Sequence, residues 1–301
     1  MKARTLLQVR LDTSASAEDA VAELVARTTG QAASIYCDAE TGAVTVCAYL
    51  GAGSPTALRH RLRDGLEHLR TCGLDPAPGR ISIRRIRRED WAESWRRHFK
   101  PFEIAHRLLV KPSWSRRKAG PGQATLILDP GLSFGTGHHP TTRFCLEQIV
   151  HARHTGERQS FLDVGCGSGI LSLAAAKLGY DPVAAFDVDP EAVRIAGENA
   201  RRNRLAGRIC LRQADLTRLP RERVRQHDVV CANLVYDLLL DARARLKAWV
   251  KPGGILVLAG ILSHQLPLVR RAYAGGGWLP RAHAVQGEWE SLALKAPESL
   301  S

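Results

Sequence analysis

The stretch Phe161–Leu171, "FLDVGCGSGIL", closes an apolar run and opens one with helical character. Gly165, Gly167 and Gly169 recur at every second position. Glycine permits positive φ and lets a ligand approach the backbone where a Cβ would clash. A helix starting just behind such a turn offers free amides and the positive end of its dipole, which suits an anionic group such as a carboxylate. The spacing excludes two common alternatives. A dinucleotide turn needs G-x-G-x-x-G/A, and counted from Gly165 the last position is Ile170. A phosphate loop needs a Lys behind its final glycine, and none follows. What remains is D-x-G-x-G-x-G, beginning at Asp163.

The next strand-like segment, "VAAFDVDPEAV", supplies Asp187 and Asp189. Pro190 suits the first position of a helix, which makes Asp189 the expected N-cap. Asp187 then ends the strand, 22 residues after Gly165. An acid at that remove is placed to accept hydrogen bonds from ribose hydroxyls. Further on, "RICLRQAD", "HDVVCAN", "LLLDARARLKAWV", "GGILVLAGIL" and "HQLPLVRRAYAGGG" continue the alternation of short apolar strands and helical patterns. That alternation predicts a parallel, doubly wound, Rossmann-like α/β sheet over residues 123–301. Ligands of such sheets bind outside the C-terminal ends of the strands. Asp215 follows the third strand and Asn233 ends the fourth.

Working back from the first turn, a second glycine-rich run, "GLSFGTGHHPTT", spans Gly131–Thr142. Two glycine turns so close together raise the question of a shared ligand. Residues 87–122 read as a connector. "REDWAESWRRHFKPFEI" places Trp91, Trp95 and Phe99 on one helical face, and "KPSWSRRKAGPGQ" is a basic Pro/Gly loop. Residues 1–86 give the order β-α-β-β-α-β: "TLLQVRLD", "SAEDAVAELVART" with Ser16 and Asp19 in capping-box spacing, a hairpin of "AASIYCD" and "AVTVCAYL" across "AETG", "SPTALRHRLRDGLEHLR", and "RISIRRI". This order matches a ferredoxin-like α+β unit. No nucleophile–base pair or carboxylate pair is visible in it, so it reads as a recognition module.

Composition sets the outer bounds. The chain has 301 residues, room for two cores. Its apolar runs are too short to span a membrane, and the N-terminal "MKARTLLQVRLD" lacks the apolar region of a signal peptide. Seven scattered cysteines without a CxxC pair suggest neither a disulfide framework nor a zinc site, which fits a reducing cytoplasm. His138, His139, His151 and His154 lie close together, but no carboxylate or cysteine completes a metal set, and none is expected. The net charge of +13 is compatible with a nucleic-acid-rich neighbourhood.

D-x-G-x-G-x-G resembles the S-adenosylmethionine motif of Rossmann-like methyltransferases. In order along the chain, "LILDPGLSFGTGHHPTT", "LDVGCGSGIL", "FDVDPEAV", "ANLVYDLLL", "LAGIL" and "GEW" resemble the PrmA family, the methyltransferases of ribosomal protein L11. The connector and the β-α-β-β-α-β head match that family too. The resemblance implies a protein-amine methyltransferase that uses S-adenosyl-L-methionine and acts on lysine side chains and the N-terminal amine of L11. It implies that both glycine turns grip one cofactor, with Thr142, Gly165, Gly167, Asp187 and Asn233 in contact and Asp215 near the adenine. Asn233 would also orient the acceptor amine. N-methyltransferases of adenine and glutamine carry Asn/Asp-Pro-Pro-aromatic at this position; Asn-Leu-Val-Tyr here lacks the prolines. Two departures, His138 where the family usually has Thr and the basic charge, bear on the protein substrate rather than on the cofactor. The expected partner is L11, free or on the large subunit, with contact to ribosomal RNA, for a cytoplasmic monomer. Two alternatives remain: a related enzyme acting on another protein lysine, and a cofactor-binding or RNA-proximal scaffold without transfer activity.

Overall fold

The computed structural model describes residues 5–31, 33–37, 44–87, 100–129, 139–219 and 225–299. The hairpin turn "AETG", the aromatic stripe Trp91, Trp95 and Phe99, and Gly131–His138 of the second glycine turn lie outside the described residues. The chain divides into two compact units, residues 1–98 and 99–301.

The first unit runs β1 (Thr5–Thr13), α1 (Glu18–Thr29), β2 (Ser34–Cys37), β3 (Val44–Leu50), α2 (Pro55–Thr71) and β4 (Arg80–Arg87). Its antiparallel sheet has the order β2-β3-β1-β4, the ferredoxin-like arrangement. Period-2 alternation in β1 buries Leu7, Val9 and Leu11 against Val21 and Val25 of α1 and Leu58, Leu62 and Leu66 of α2. The helices approach closely because α2 carries Gly65, where a Cβ would lie 2.2 Å from Leu24 Cδ1. The expected Ser16–Asp19 capping box does not form. Ser16 lies in a short 3-10 turn, its hydroxyl 3.1 Å from that of Ser14, and α1 starts behind Ala17 without a side-chain cap.

The second unit begins with a small sheet of β5 (Phe102–Ile104), β6 (Leu108–Lys111) and β7 (Ala124–Ile127). Phe102–Ile104, read from the sequence as the end of a helical segment, is a strand, since Pro101 lacks an N–H and disfavours helix at the residue before it. Then come α3 (Pro140–His151), β8 (Phe161–Val164), α4 (Ile170–Lys177), β9 (Val183–Asp187), α5 (Pro190–Arg202), β10 (Ile209–Gln213), β11 (His227–Asn233), α6 (Tyr236–Asp241), α7 (Arg243–Ala248), β12 (Val250–Leu262), α8 (Leu266–Tyr273), β13 (Leu279–Gln286) and β14 (Trp289–Lys295). "LLLDARARLKAWV" forms two short helices, divided at buried Ala242, whose φ/ψ of −90°/2° leaves the helical region.

The large sheet has the order β10-β9-β8-β11-β12-β14-β13. The strands from β10 to β12 are parallel, and β14 runs against both of its neighbours. Both faces are covered, so successive residues serve opposite cores. Phe161 joins Cys145, Ile149, Leu173 and Val229 on one face; Leu162 and Val164 join Val230, Leu246 and Trp249 on the other. This is why the strands read as continuous apolar runs. The strand order reverses between β8 and β11, so the crevice for a ligand opens there, at the C-terminal ends.

Candidate active site

The turn behind β8 is shaped by its glycines. Gly165, Gly167 and Gly169 adopt φ of 71°, 51° and 79°, which side chains rarely tolerate. Their amides are engaged in distinct ways. Gly165 N–H and Cys166 N–H both donate to Phe186 O at 3.0 Å, which ties the turn to the end of β9. Gly167 N–H donates to Asp187 Oδ2 at 2.8 Å. Gly169 serves packing: a Cβ there would lie 2.9 Å from Ala196 Cβ on α5.

Asp163 opens the motif but is buried beneath the turn. Its Oδ2 accepts from Ser172 N–H at 2.9 Å, so one first-turn amide of α4 is capped from within rather than left for a ligand. Burial pushes its carboxyl up to about 7, and the charge of Asp187 adds to the rise.

Asp187 ends β9, and its other oxygen accepts from Asp189 N–H at 3.0 Å. Asp189 Oδ1 accepts from Glu191 N–H at 2.8 Å and caps α5, as its place before Pro190 predicts. Asp215 follows β10. Its Oδ1 accepts from both the amide and the hydroxyl of Thr217, at 2.9 and 2.7 Å, and its Oδ2 pairs with Arg218 at 3.2 Å. The Thr217 hydroxyl, above all, holds its carboxyl below the usual range. The Asp215 side chain is thus turned into its own loop.

Asn233 ends β11, and its Nδ2 lies 3.5 Å from Thr142 Oγ1 on α3. Two further residues border this pair. Gly260, at φ 85° in β12, leaves space where a Cβ would sit 2.5 Å from Leu234 O and 3.2 Å from Asn233 Oδ1. Trp289 meets the His139 ring edge-on at 4.9 Å, at the start of the helix that carries Thr142, while His139 Nδ1 lies 2.7 Å from Thr141 Oγ1. Gly260 falls in "LAGIL" and Trp289 in "GEW", so the motifs contained them without their roles being evident.

One cavity of about 290 Å³ gathers these elements. Thr142, Gly165, Gly167, Asp187, Asp215 and Asn233 all line it, drawn from four strand ends and from α3. Its remaining wall is largely apolar, including Ile170, Phe186, Val188, Leu216, Leu234 and Leu238. Val188 is 63% exposed although apolar, directly behind Asp187. Such a wall with a few convergent polar groups is the usual form of a small-molecule site. Among the described residues, no group of three or more His, Cys, Asp or Glu is arranged to hold a metal ion. His138 lies outside them, and His151 and His154 are exposed. Nor is any described helix long and apolar enough to cross a membrane.

Known proteins match the chain across both units. The sequence model of the ribosomal protein L11 methyltransferase (PrmA) family matches residues 6–297. A ribosomal protein L11 methyltransferase of Streptococcus equi subsp. zooepidemicus is 35% identical over 262 residues, covering 86% of this chain and 80% of that protein. One of Streptococcus pyogenes serotype M3 is 36% identical over 243 residues, covering 80% and 74%. The crystal structure of a ribosomal protein L11 methylase from Lactobacillus delbrueckii subsp. bulgaricus superposes with a TM-score of 0.59 at 30% identity, covering 66% of this chain and all of the other.

Proposed function

The chain belongs to the ribosomal protein L11 methyltransferase (PrmA) family and is an S-adenosylmethionine-dependent methyltransferase, and we propose that it methylates amines of L11 at the cavity between β8 and β11. The observation that carries this reading is the convergence of Thr142, Gly165, Gly167, Asp187, Asp215 and Asn233 on that one cavity.

The residues present fit the cofactor. Gly165 and Gly167 line the cavity where its methionine part would lie, at φ values that side chains rarely adopt. The carboxylate of Asp187 faces the same turn and would accept from ribose hydroxyls, charge-assisted bonds of the stronger kind. Val188, Phe186 and Leu216 form an apolar slot for a base. The Asp215 carboxylate is turned into its own loop toward Thr217 and Arg218, so that loop would hold the adenine through backbone rather than carboxylate. When bound, S-adenosylmethionine supplies a methyl group already activated on a cationic sulfur. What the protein adds is chiefly in-line positioning.

The acceptor amine must be neutral to attack. With a reference pKa near 10.4, roughly one lysine in a few thousand is neutral at pH 7. An apolar cavity beside a positive charge lowers that pKa, and the proton leaves to water before attack. The Asn233 carboxamide, held near Thr142 and backed by Gly260, would then accept an amine hydrogen and aim the lone pair. The first unit would present the protein substrate. We place the enzyme in the cytoplasm as a monomer, meeting L11 free or on the large subunit beside ribosomal RNA. Transfer of label from methyl-labelled cofactor to purified L11 tests this reading.

A further inference from the structure

The first unit is polarised. Its α1 begins with Glu18 and Asp19 and adds Glu23 against a single Arg27. On the other side, α2 and β4 carry Arg59, Arg61, Arg63, Arg70, Arg80, Arg84, Arg85 and Arg87 against Asp64 and Glu67, with Asp75 between them. A chain-wide preference for arginine would not sort the charges in this way.

The acids on that side are already engaged. Asp64 pairs with His60 at 2.9 Å, and Glu67 with Arg70 at 3.0 Å. Asp75 Oδ1 accepts from Ala77 N–H. On β1, Asp12 pairs with Arg10 at 2.9 Å. Arg63, Arg80, Arg84 and Arg85 are exposed and have no carboxylate partner among the described residues. Arg59 donates from Nη1 to Ile81 O at 2.8 Å, which brings the start of α2 alongside β4. β4 is an edge of the sheet. Arg80 and Arg84 stand opposite Asp12 and Gln8 in register and share their face, while Arg85 stands opposite Leu7 on the helix-covered face. The edge therefore presents guanidinium groups from both faces and from the flanking helix.

We propose that this β4–α2 edge binds an RNA phosphate backbone without reading its sequence. The observation that favours nucleic acid over an acidic protein is the absence of any anchor. The only described large apolar side chain of this unit that is exposed is Ile35, on β2 at the opposite edge. Protein interfaces concentrate their energy in buried aromatic or apolar anchors, whereas a phosphate backbone is bound by charge alone. Planar guanidinium forks match phosphate oxygens. Neither α2 nor β4 carries a Phe, Tyr or Trp to stack a base; their rings are His60, paired with Asp64, and His68, beside Cys72, so selectivity among sequences is not expected. That the nucleic acid is RNA rests on the ribosomal-protein reading above; the surface itself does not.

The test titrates a short labelled RNA hairpin with the full chain, without cofactor or L11, between about 50 and 200 mM salt. The same titration follows for Arg80→Glu/Arg84→Glu/Arg85→Glu and for the matching triple Gln variant. Loss of three phosphate contacts should flatten the slope of log affinity against log salt by about 2.7 and weaken binding at least tenfold at the lowest salt. The Gln variant loses the same three contacts and should flatten the slope equally, with a smaller loss of affinity because it adds no repulsion. Unchanged circular dichroism and unchanged S-adenosylmethionine affinity show the variants folded. An unaltered slope in both variants would overturn the proposal. So would a polyglutamate peptide that binds this edge while the hairpin does not, or a loss of transfer to free L11 with RNA binding intact. Because the titration uses neither cofactor nor L11, its failure is separate from failure of the methyl-transfer reading.

Discussion

The amide of Gly167 and the carboxylate of Asp187 lie 2.8 Å apart, joined by a hydrogen bond from the turn behind β8 to the end of β9. A residue chosen for backbone freedom and one chosen for charge thus meet at one point of the cavity. If Asp187 holds the ribose, Asp187→Ala should weaken cofactor binding by about 1.5–3 kcal/mol, the range for hydrogen bonds to charged groups. Its neighbour Asp189 caps α5, so Asp189→Ala should cost about 1 kcal/mol of folding stability and little affinity. Calorimetric titration and thermal denaturation of both variants separate the two roles. Wild-type affinity in the Asp187 variant would remove it from the site.

The pair Thr142–Asn233 is expected to act on the chemical step. Asn233→Ala should lower kcat by about 100-fold, the scale of a small misplacement of reacting atoms. Cofactor affinity should change far less, and Thr142→Ala should give a milder form of the same pattern. Single-turnover rates at saturating cofactor, set beside binding constants, check this. Equal losses in both quantities would make Asn233 a cofactor ligand only.

Gly260 and Gly165 should fail differently when replaced by Ala. Both have positive φ, a strain of roughly 1–3 kcal/mol for another residue. At Gly165 the new Cβ meets the movable end of Leu234, 2.4 Å from Cδ2, whereas at Gly260 it meets backbone, 2.5 Å from Leu234 O. Gly260→Ala should therefore shift the Asn233–Leu234 segment and depress turnover more than affinity. Gly165→Ala should depress affinity first. Melting temperatures and the two kinetic readouts distinguish them.

Asp163 makes stability depend on pH. Its carboxyl titrates near 7 when folded and near 3.8 when unfolded. The folded chain therefore holds the extra proton between these values. The stabilisation is complete below pH 3.8 and is lost as pH rises through 7. Asp163→Asn keeps an acceptor for Ser172 N–H and should flatten the fall in stability across that window. Denaturant titrations of both proteins at several pH values give the difference directly. Parallel curves for the two would show that Asp163 does not titrate there.

Much of this site was legible in the sequence because its chemistry uses residue types with few other uses in those places. Three alternating glycines behind an apolar strand, an acid one strand later and an Asn ending the fourth strand all fall where the fold brings strand ends together. Cys166, Val188, Leu216 and Leu234 were not legible, since an apolar residue beside a strand end looks like core until the neighbouring loop is placed. Gly260 depends on the register of β12 against β11, which pairs Ala259 with Asn233 and cannot be counted along one chain segment. The inward turn of Asp215 could have been found from the Asp-x-Thr spacing, a common local hydrogen-bonded turn. In the head, the order of elements was readable, but the absence of the Ser16 cap was not, because Ser14 engages that hydroxyl from outside the helix.

The most direct measurement is transfer of isotope-labelled methyl groups from S-adenosylmethionine to purified ribosomal protein L11, located by peptide mass spectrometry. The expected result is label on amines of L11, lysine side chains or the N-terminus, its rate lowered about 100-fold in Asn233→Ala and strongly reduced in Asp187→Ala at low cofactor concentration. Cofactor binding without label on L11, or label confined to another protein offered beside it, would contradict the proposed substrate.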